Sequence, residues 1–350
     1  MPLAKKRVSR DRVNFGGKLS RWDVKKLAKD KDLKVLQTAE PIHEATLIRL
    51  NEALYSERPD VQFRVYGFYS SPCDLKFLSL MSNVQNLSAD CLHNASGIEA
   101  IVSLPRLKRL GIGIWNLEDL TFLSDVSDEI ESLFIGTTKS KKPNLAPLSK
   151  FSKMKAIYLE GQRKNIDVLS QLRNLEEVVL RSITVPNLDF LQPLEKLWSL
   201  DIKLGGTKNL SAIEGMTRLK YLELWQIRGL SDISVVSSLT NLQHLFLQSL
   251  IQVEGLPDFR KLTKLRRVTL ETMKGLQDVS TLRDAPVLQE YTHIAANNLQ
   301  PNDYLPLLEN ESVRKVRIGF GSDRKNNAFR AMLPNYGKEW AEFKKFEFAD

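Results

Sequence analysis

Residues Asn209 to Trp225, NLSAIEGMTRLKYLELW, set apolar side chains at Leu210, Ile213, Met216, Leu219, Leu222 and Leu224. The steps between them are three residues, four times over, and then two. A long helix would alternate steps of three and four, and a free strand would keep to two. The pattern suits a tight coil feeding one short strand, and such a coil buries its apolar edge only where copies of it stack.

The copies are present. With Leu222 as the anchor of its strand, equivalent anchors fall at Leu87, Leu110, Leu133, Ile157, Val178, Leu200, Leu245, Val268, Tyr291 and Val316, at spacings of 21 to 25 residues. Two residues after each anchor comes a second apolar side chain, from Ala89 and Ile112 through to Leu270 and Ile318. Only His293 breaks that row. Three before each anchor comes another, as at Leu107, Leu175, Leu219 and Leu288. Three registers held over eleven copies predict an elongated solenoid, a single domain in which each coil touches only its neighbours.

Segments such as LDFLQPLEKLWSLDI (188–202) and LPDFRKLTKLRRVTL (256–270) carry the LxxLxxLxxLxxLxL order. This resembles the leucine-rich-repeat family, in its short form of about 22 residues seen in intracellular phosphatase-regulating proteins and in bacterial internalins. The resemblance covers residues 61–319. It implies an α/β solenoid, a horseshoe with a parallel concave sheet and short convex turns or 3-10 segments. One departure stands out: the family keeps an Asn five residues after the anchor, whereas here those positions include Leu92, Trp115, Gln162, Ile183, Ile227, Leu250 and Met273. Without an Asn ladder, the backbone groups of that turn need other partners.

Outside the repeats the pattern changes. LSRWDVKKLAK (19–29) predicts a short helix begun near Ser20, with Leu19, Trp22 and Leu27 on one side. Pro41 to Tyr55 predicts a second helix, with Ile42, Ala45, Leu47, Ile48, Leu50, Ala53 and Leu54 on a broad apolar face. Val61 to Phe68 reads as the strand that begins the sheet. Residues 19–60 are therefore expected to be a helical N-terminal cap. After Ile318 the register stops. Ser322 to Leu333 predicts a helix with Phe329, Met332 and Leu333 inward, and Trp340, Phe343, Phe346 and Phe348 follow in an aromatic tail. Residues 320–350 are expected to cap the last repeat; the other reading is an anchor for another chain.

Charge divides the 350 residues unevenly. Twelve Lys and Arg against four Asp put +8 on residues 1–34, out of +9 for the whole chain. Residues 1–18 thus read as a basic, flexible leader. It is open to two readings, a solubilising tail or an arm that binds nucleic acid or an acidic protein surface.

Chemistry is sparse. The four histidines, His43, His93, His244 and His293, show no metal-ligand spacing, and no serine sits in a Gly-x-Ser-x-Gly elbow. Gly205-Gly206-Thr207-Lys208 lacks the order of a phosphate loop. Cys73 and Cys91 match no metal or redox spacing. No enzyme, cofactor or metal is expected. No run of about 18 apolar residues and no apolar secretory core is seen, so the expectation is a cytoplasmic protein with no membrane partner and no small-molecule substrate.

What remains for function is the solvated side of the sheet. Positions one before, one after and three after each anchor face away from the core, because side chains alternate along a strand. They carry Phe134, Tyr158, Arg181, Tyr221, Glu223, Trp225, His244 and Phe246. Aromatics among charges of both signs match a protein-interface hot spot, with lateral packing between neighbouring strands as the alternative. Acidic residues, among them Glu160, Glu177, Asp201 and Glu271, interrupt the same face and disfavour it as a nucleic-acid groove. The expectation is a non-catalytic scaffold that binds another protein there and inhibits it, neutralises it or assembles it into a complex; the alternative is nucleic-acid binding through the basic arm.

Overall fold

The structure, a computed structural model, describes residues 5–68, 72–140 and 143–349. Residues 1–4 of the leader and Asp350 lie outside the described residues. The repeats fall into two compact units, Met1–Asn174 and Leu175–Asp350.

In the first unit, β1 (Lys5–Ser9) and β2 (Arg12–Phe15) form an antiparallel hairpin. β2 then pairs in parallel with β3 (Val35–Thr38), and β3 with β4 (Gln62–Tyr66). β5 (Cys73–Asp74) stands apart, while β6 (Asn86–Leu92) joins β4. β7 (Ala95–Ser96) pairs with β5. β8 (Arg109–Ile114), β9 (Ser132–Ile135) and β10 (Ala156–Glu160) follow in order. Every anchor is the second residue of its strand and sits opposite the next, in the row Val13, Leu36, Phe63, Leu87, Leu110, Leu133 and Ile157.

Two expectations are corrected here. The sheet begins before Val61, because β2 and β3 carry the same anchor register as the later repeats. The leader is also folded from Lys5 onward. RVNF alternates polar and apolar residues, so Val13 and Phe15 are buried, while Arg7 pairs with Asp30 and Arg10 with Asp32 at 3.2 Å. The cationic composition had masked that period of two.

Helix α1 (Arg21–Ala28) starts where expected, with Ser20 accepting from the Asp23 N–H in a capping box. Its buried side chains are Val24 and Leu27, whereas Trp22 points outward, 66% exposed with the Lys26 amine 5.1 Å from its ring. Helix α2 (Glu44–Leu50) runs into one π turn at Asn51–Tyr55. It buries Thr46, Leu47, Leu50, Leu54 and Tyr55, a narrower stripe than the sequence suggested, and Ile48 is exposed.

The second unit repeats the arrangement with β11 (Glu177–Arg181), β12 (Ser199–Lys203), β13 (Tyr221–Trp225), β14 (His244–Gln248), β15 (Arg267–Glu271), β16 (Glu290–Ile294) and β17 (Lys315–Ile318), all parallel. His293, the break in the apolar row, is buried all the same. Its Nδ1 lies 2.6 Å from Tyr304 Oη, and burial pulls its pKa down to about 4, so it is a neutral member of the core. Helix α3 (Leu305–Glu309) precedes β17, and α4 (Asp323–Met332) follows it. Phe320 and Phe329 pack on Tyr304, and β18 (Glu339–Trp340) pairs with β17. These elements close the last repeat. The rest of the aromatic tail does not: residues 341–349 turn back over the sheet. Among the described residues, no helix is long and apolar enough to cross a membrane.

Two columns of residues turn the chain at most of the coils. Four residues after the anchor the backbone is left-handed, at Cys91, Gly161, Ser182, Leu204, Gln226, Ser249, Thr272 and Ala295. In the second unit this conformation aims an N–H at the end of the next strand, as in Gln226 to Gln248 O and Thr272 to Ile294 O, both 2.8 Å. At the entry to the outer turns, side-chain oxygens of Asp74, Asp119, Asn144, Asn187, Asn209, Asp232 and Asp278 accept from the N–H two residues on, at 2.8–3.3 Å. Six of the seven lie thirteen residues before an anchor. In place of the missing Asn ladder, buried Gln162 donates to Gly136 O at 2.9 Å and Ile183, Ile227, Leu250 and Met273 fill the same position with hydrocarbon.

A β-branched residue resists the left-handed region most strongly, and Thr272 holds φ 54° there. Thr272→Gly relieves that strain while keeping the N–H bond to Ile294. The gain, net of glycine's greater freedom when unfolded, should be about 0.5–1 kcal/mol. Urea denaturation will show it as a higher midpoint at unchanged slope.

Candidate functional site: the outer strand face

The eight residues singled out from the sequence all lie on the outer side of a strand, two in the first unit and six in the second. In the first unit Phe134 and Tyr158 are register partners on β9 and β10, and their rings stack at 4.4 Å. Phe134 is 37% exposed and, with Trp115 and Gly136, lines a groove of about 520 Å³ that Arg64, Asp90 and Glu160 border. The floor is bare backbone for a steric reason: a Cβ on Gly113 would come within 3.1 Å of Asp90 Cα. Arg64 grips the Asp90 carboxylate with Nε and Nη2, which holds that carboxyl below its usual range despite burial.

In the second unit Arg181, Lys203 and Trp225 are register neighbours on β11, β12 and β13, and the Arg181 guanidinium lies 5.9 Å from the Trp225 ring. Asp201 and Glu223 face each other directly across β12 and β13, an unfavourable pairing of like charges. Lys203 bridges them, 3.0 Å from each. The Tyr221 hydroxyl donates to the second oxygen of Glu223 at 2.7 Å. Burial first, and then the charge on Glu223, push the Asp201 pKa up to about 6.

Tyr221 also packs on His244, its register partner, at 5.2 Å. The His244 Nε2 lies 3.2 Å from Thr269 Oγ1. Burial, and secondarily Arg267, hold its pKa down to about 3, so His244 is neutral near pH 7. Phe246 is half-buried between its register partners Glu223 and Thr269.

The sequence pattern did not reveal what lies on this face. Residues 343–349 cross it at the strand starts, running from β15 back towards β12. The Phe343 ring is 5.3 Å from the Arg267 guanidinium. Phe346 packs on His244 at 5.1 Å and lies 4.8 and 5.0 Å from the guanidiniums of Arg266 and Arg267. Phe348 meets Trp198 and Tyr221 edge-on, at 5.2 and 6.0 Å. Three hydrogen bonds hold the main chain. Gln243, 1% exposed, donates to Ala349 O at 2.7 Å and accepts from Ala349 N at 2.8 Å, and Arg266 donates to Glu347 O at 2.7 Å.

All of these contacts go to residues one or two before an anchor. Trp198, Gln243 and Arg266 share the position two before it. That row, lying just outside the strands, was absent from the candidate residues although it is as regular as the others. The sequence offered a signal in the spacing of Phe346 and Phe348, which puts two rings on one side of an extended chain.

Asp201 makes the stability of this face depend on pH. Its folded pKa, about 6, exceeds the unfolded value of 3.8, so its contribution is complete below the unfolded value and is lost as pH rises through 6. Asp201→Asn lacks this loss. Its stability relative to the parent should therefore rise by about 2–3 kcal/mol between pH 4 and pH 7, since a tenfold change in proton affinity is worth about 1.4 kcal/mol. Paired urea titrations at the two pH values test this, and His244, common to both chains, cancels.

No family model matches the chain, and no curated protein matches it in sequence. Solved structures do resemble it. An internalin (inlF) of Listeria monocytogenes aligns with a TM-score of 0.56 at 16% identity, over 96% of this chain and 87% of that one. A leucine-rich-repeat protein of Leptospira interrogans aligns at 0.44 and 14% identity, over 91% and 92%. An internalin C2 (inlC2) of Listeria monocytogenes aligns at 0.42 and 18%, over 63% and 83%. The periodic anchors, the parallel strands with their 3-10 turns and the match to inlF make this a protein of the leucine-rich-repeat fold.

Proposed function

We propose that the chain is a non-catalytic scaffold that binds another protein through the outer strand face. The observation that carries this reading is the composition of that face in the second unit. Trp225, Phe246, Arg181 and Glu223 present aromatic surface and charges of both signs from a rigid sheet, the makeup of an interface whose energy sits in a few anchors. The rows one and three after the anchor, to which these four belong, lie beyond the row that residues 343–349 touch. A partner held there could be an enzyme kept inactive, a toxin neutralised or a member of a complex. The basic arm supports its rival less well, since Arg7 and Arg10 face Asp30 and Asp32 in the folded hairpin.

Trp225→Ala with Phe246→Ala removes two anchors without touching the tail. Partners identified by mass spectrometry after capture on the parent chain should bind the double variant at least ten-fold more weakly, since one hot-spot anchor is worth about 2 kcal/mol or more. Circular dichroism should be unchanged. Equal capture by both chains would remove the face from consideration.

A further inference from the structure

The segment 343–349 is seated on the outer face in the manner of a bound peptide. Its main chain is held by side chains alone, through the buried Gln243 amide, which satisfies both the N–H and the carbonyl of Ala349, and through Arg266 on Glu347 O. Such bonds recognise an extended backbone and ignore sequence. Sequence is read by the two rings. Phe346 faces His244 and two guanidiniums, while Phe348 faces Trp198 and Tyr221. The receiving side chains are also tied to partners outside the tail: Arg267 to Glu290 by Nε at 2.7 Å, Tyr221 to Glu223, and His244 to Thr269. The occupant is held less firmly. It has no regular secondary structure, and Phe348 is 38% exposed.

We propose that the strand starts of β12–β15 form a recognition site for an extended segment bearing Phe-X-Phe, and that residues 343–349 are its resident occupant, which a partner segment of the same chemistry displaces. This rests on the reading of the face as a protein-binding surface and names the kind of segment it takes. A tethered occupant competes at high effective concentration, so an incoming Phe-X-Phe segment binds the parent chain weakly and an emptied site strongly. Aromatic anchors in preformed pockets, with main-chain bonds between them, are enough to give such a segment register and direction.

The test uses the full-length chain with Phe346→Ala and Phe348→Ala, which empties the site, and a synthetic peptide of residues 341–350 followed by calorimetry. The emptied chain should bind one peptide at least ten-fold more tightly than the parent does. A peptide carrying the same two alanines should lose at least ten-fold on the emptied chain, and so should the natural peptide when Arg266→Ala is added to that chain. Equal binding to parent and emptied chains, or no peptide binding to an emptied chain with parental circular dichroism, overturns the proposal. A parent that light scattering shows to be a dimer, made monomeric by the two alanines, overturns it too, because the segment then serves a second copy. Partner capture that depends on Trp225 and Phe246 would survive any of these results, so failure here is distinguishable from failure of the scaffold reading.

Discussion

No coil of this chain can bury its own apolar edge. Leu222 and Leu224 leave water only because Leu200 and Ile202 lie on one side of them and Leu245 and Leu247 on the other. The rest follows from that stacking. A side chain that must meet its equivalent in the next repeat fixes the parallel register, and a parallel register with a period of two sends every second side chain outward. The outer face is thus an obligatory by-product of the core, and its composition is free to differ from repeat to repeat.

That freedom explains why the fold was more legible than the site. Anchors such as Val178, Leu200 and Leu222 announce themselves because packing demands the same kind of residue at each step. The N-terminal strands were harder to see. Val13, Leu36 and Phe63 keep the register, but α2 and its π turn stretch the last interval, and cationic composition disguised the hairpin. The Asx column was visible in the sequence as residues thirteen before the anchors, yet it looks like ordinary turn composition until each oxygen is seen on the N–H two residues ahead. The outer-face residues lie where alternation along each strand puts them. Their neighbours across strands followed from register, as with Phe134 and Tyr158. The contact of Gln243 with Ala349 spans 106 residues and obeys no repeat, so nothing periodic could reveal it.

The charges on the second unit's face show how that freedom is limited. Two carboxylates directly opposed would repel, and Lys203 between Asp201 and Glu223 makes the arrangement tolerable without making it neutral. One excess negative charge remains in a half-buried place, and the protein partly discharges it by raising the affinity of Asp201 for a proton. Two strands on from Asp201, His244 is shifted in the opposite direction by the same loss of water. Neutral His244, rather than its cation, is what Phe346 can cover at little electrostatic cost.

Covering that row also changes what the remainder of the face can do. Phe343, Phe346 and Phe348 would carry too much apolar surface to leave in water, and Trp198 with Tyr221 would add more on the sheet. Docking one set on the other reduces both liabilities at once, though Phe348 stays 38% exposed, so the tail contributes to the stability of the folded chain whether or not any partner exists. The Gln243 amide accepts from Arg266 Nη2 at 2.9 Å, and it also donates to and accepts from the main chain of Ala349. If residue 349 leaves, the Gln243 oxygen keeps Arg266 while its Nε2 donor loses Ala349 O, and water or another backbone carbonyl takes that place. An amide that both donates to and accepts from the main chain of one residue binds any extended chain in that register, which suits a surface that exchanges one such chain for another.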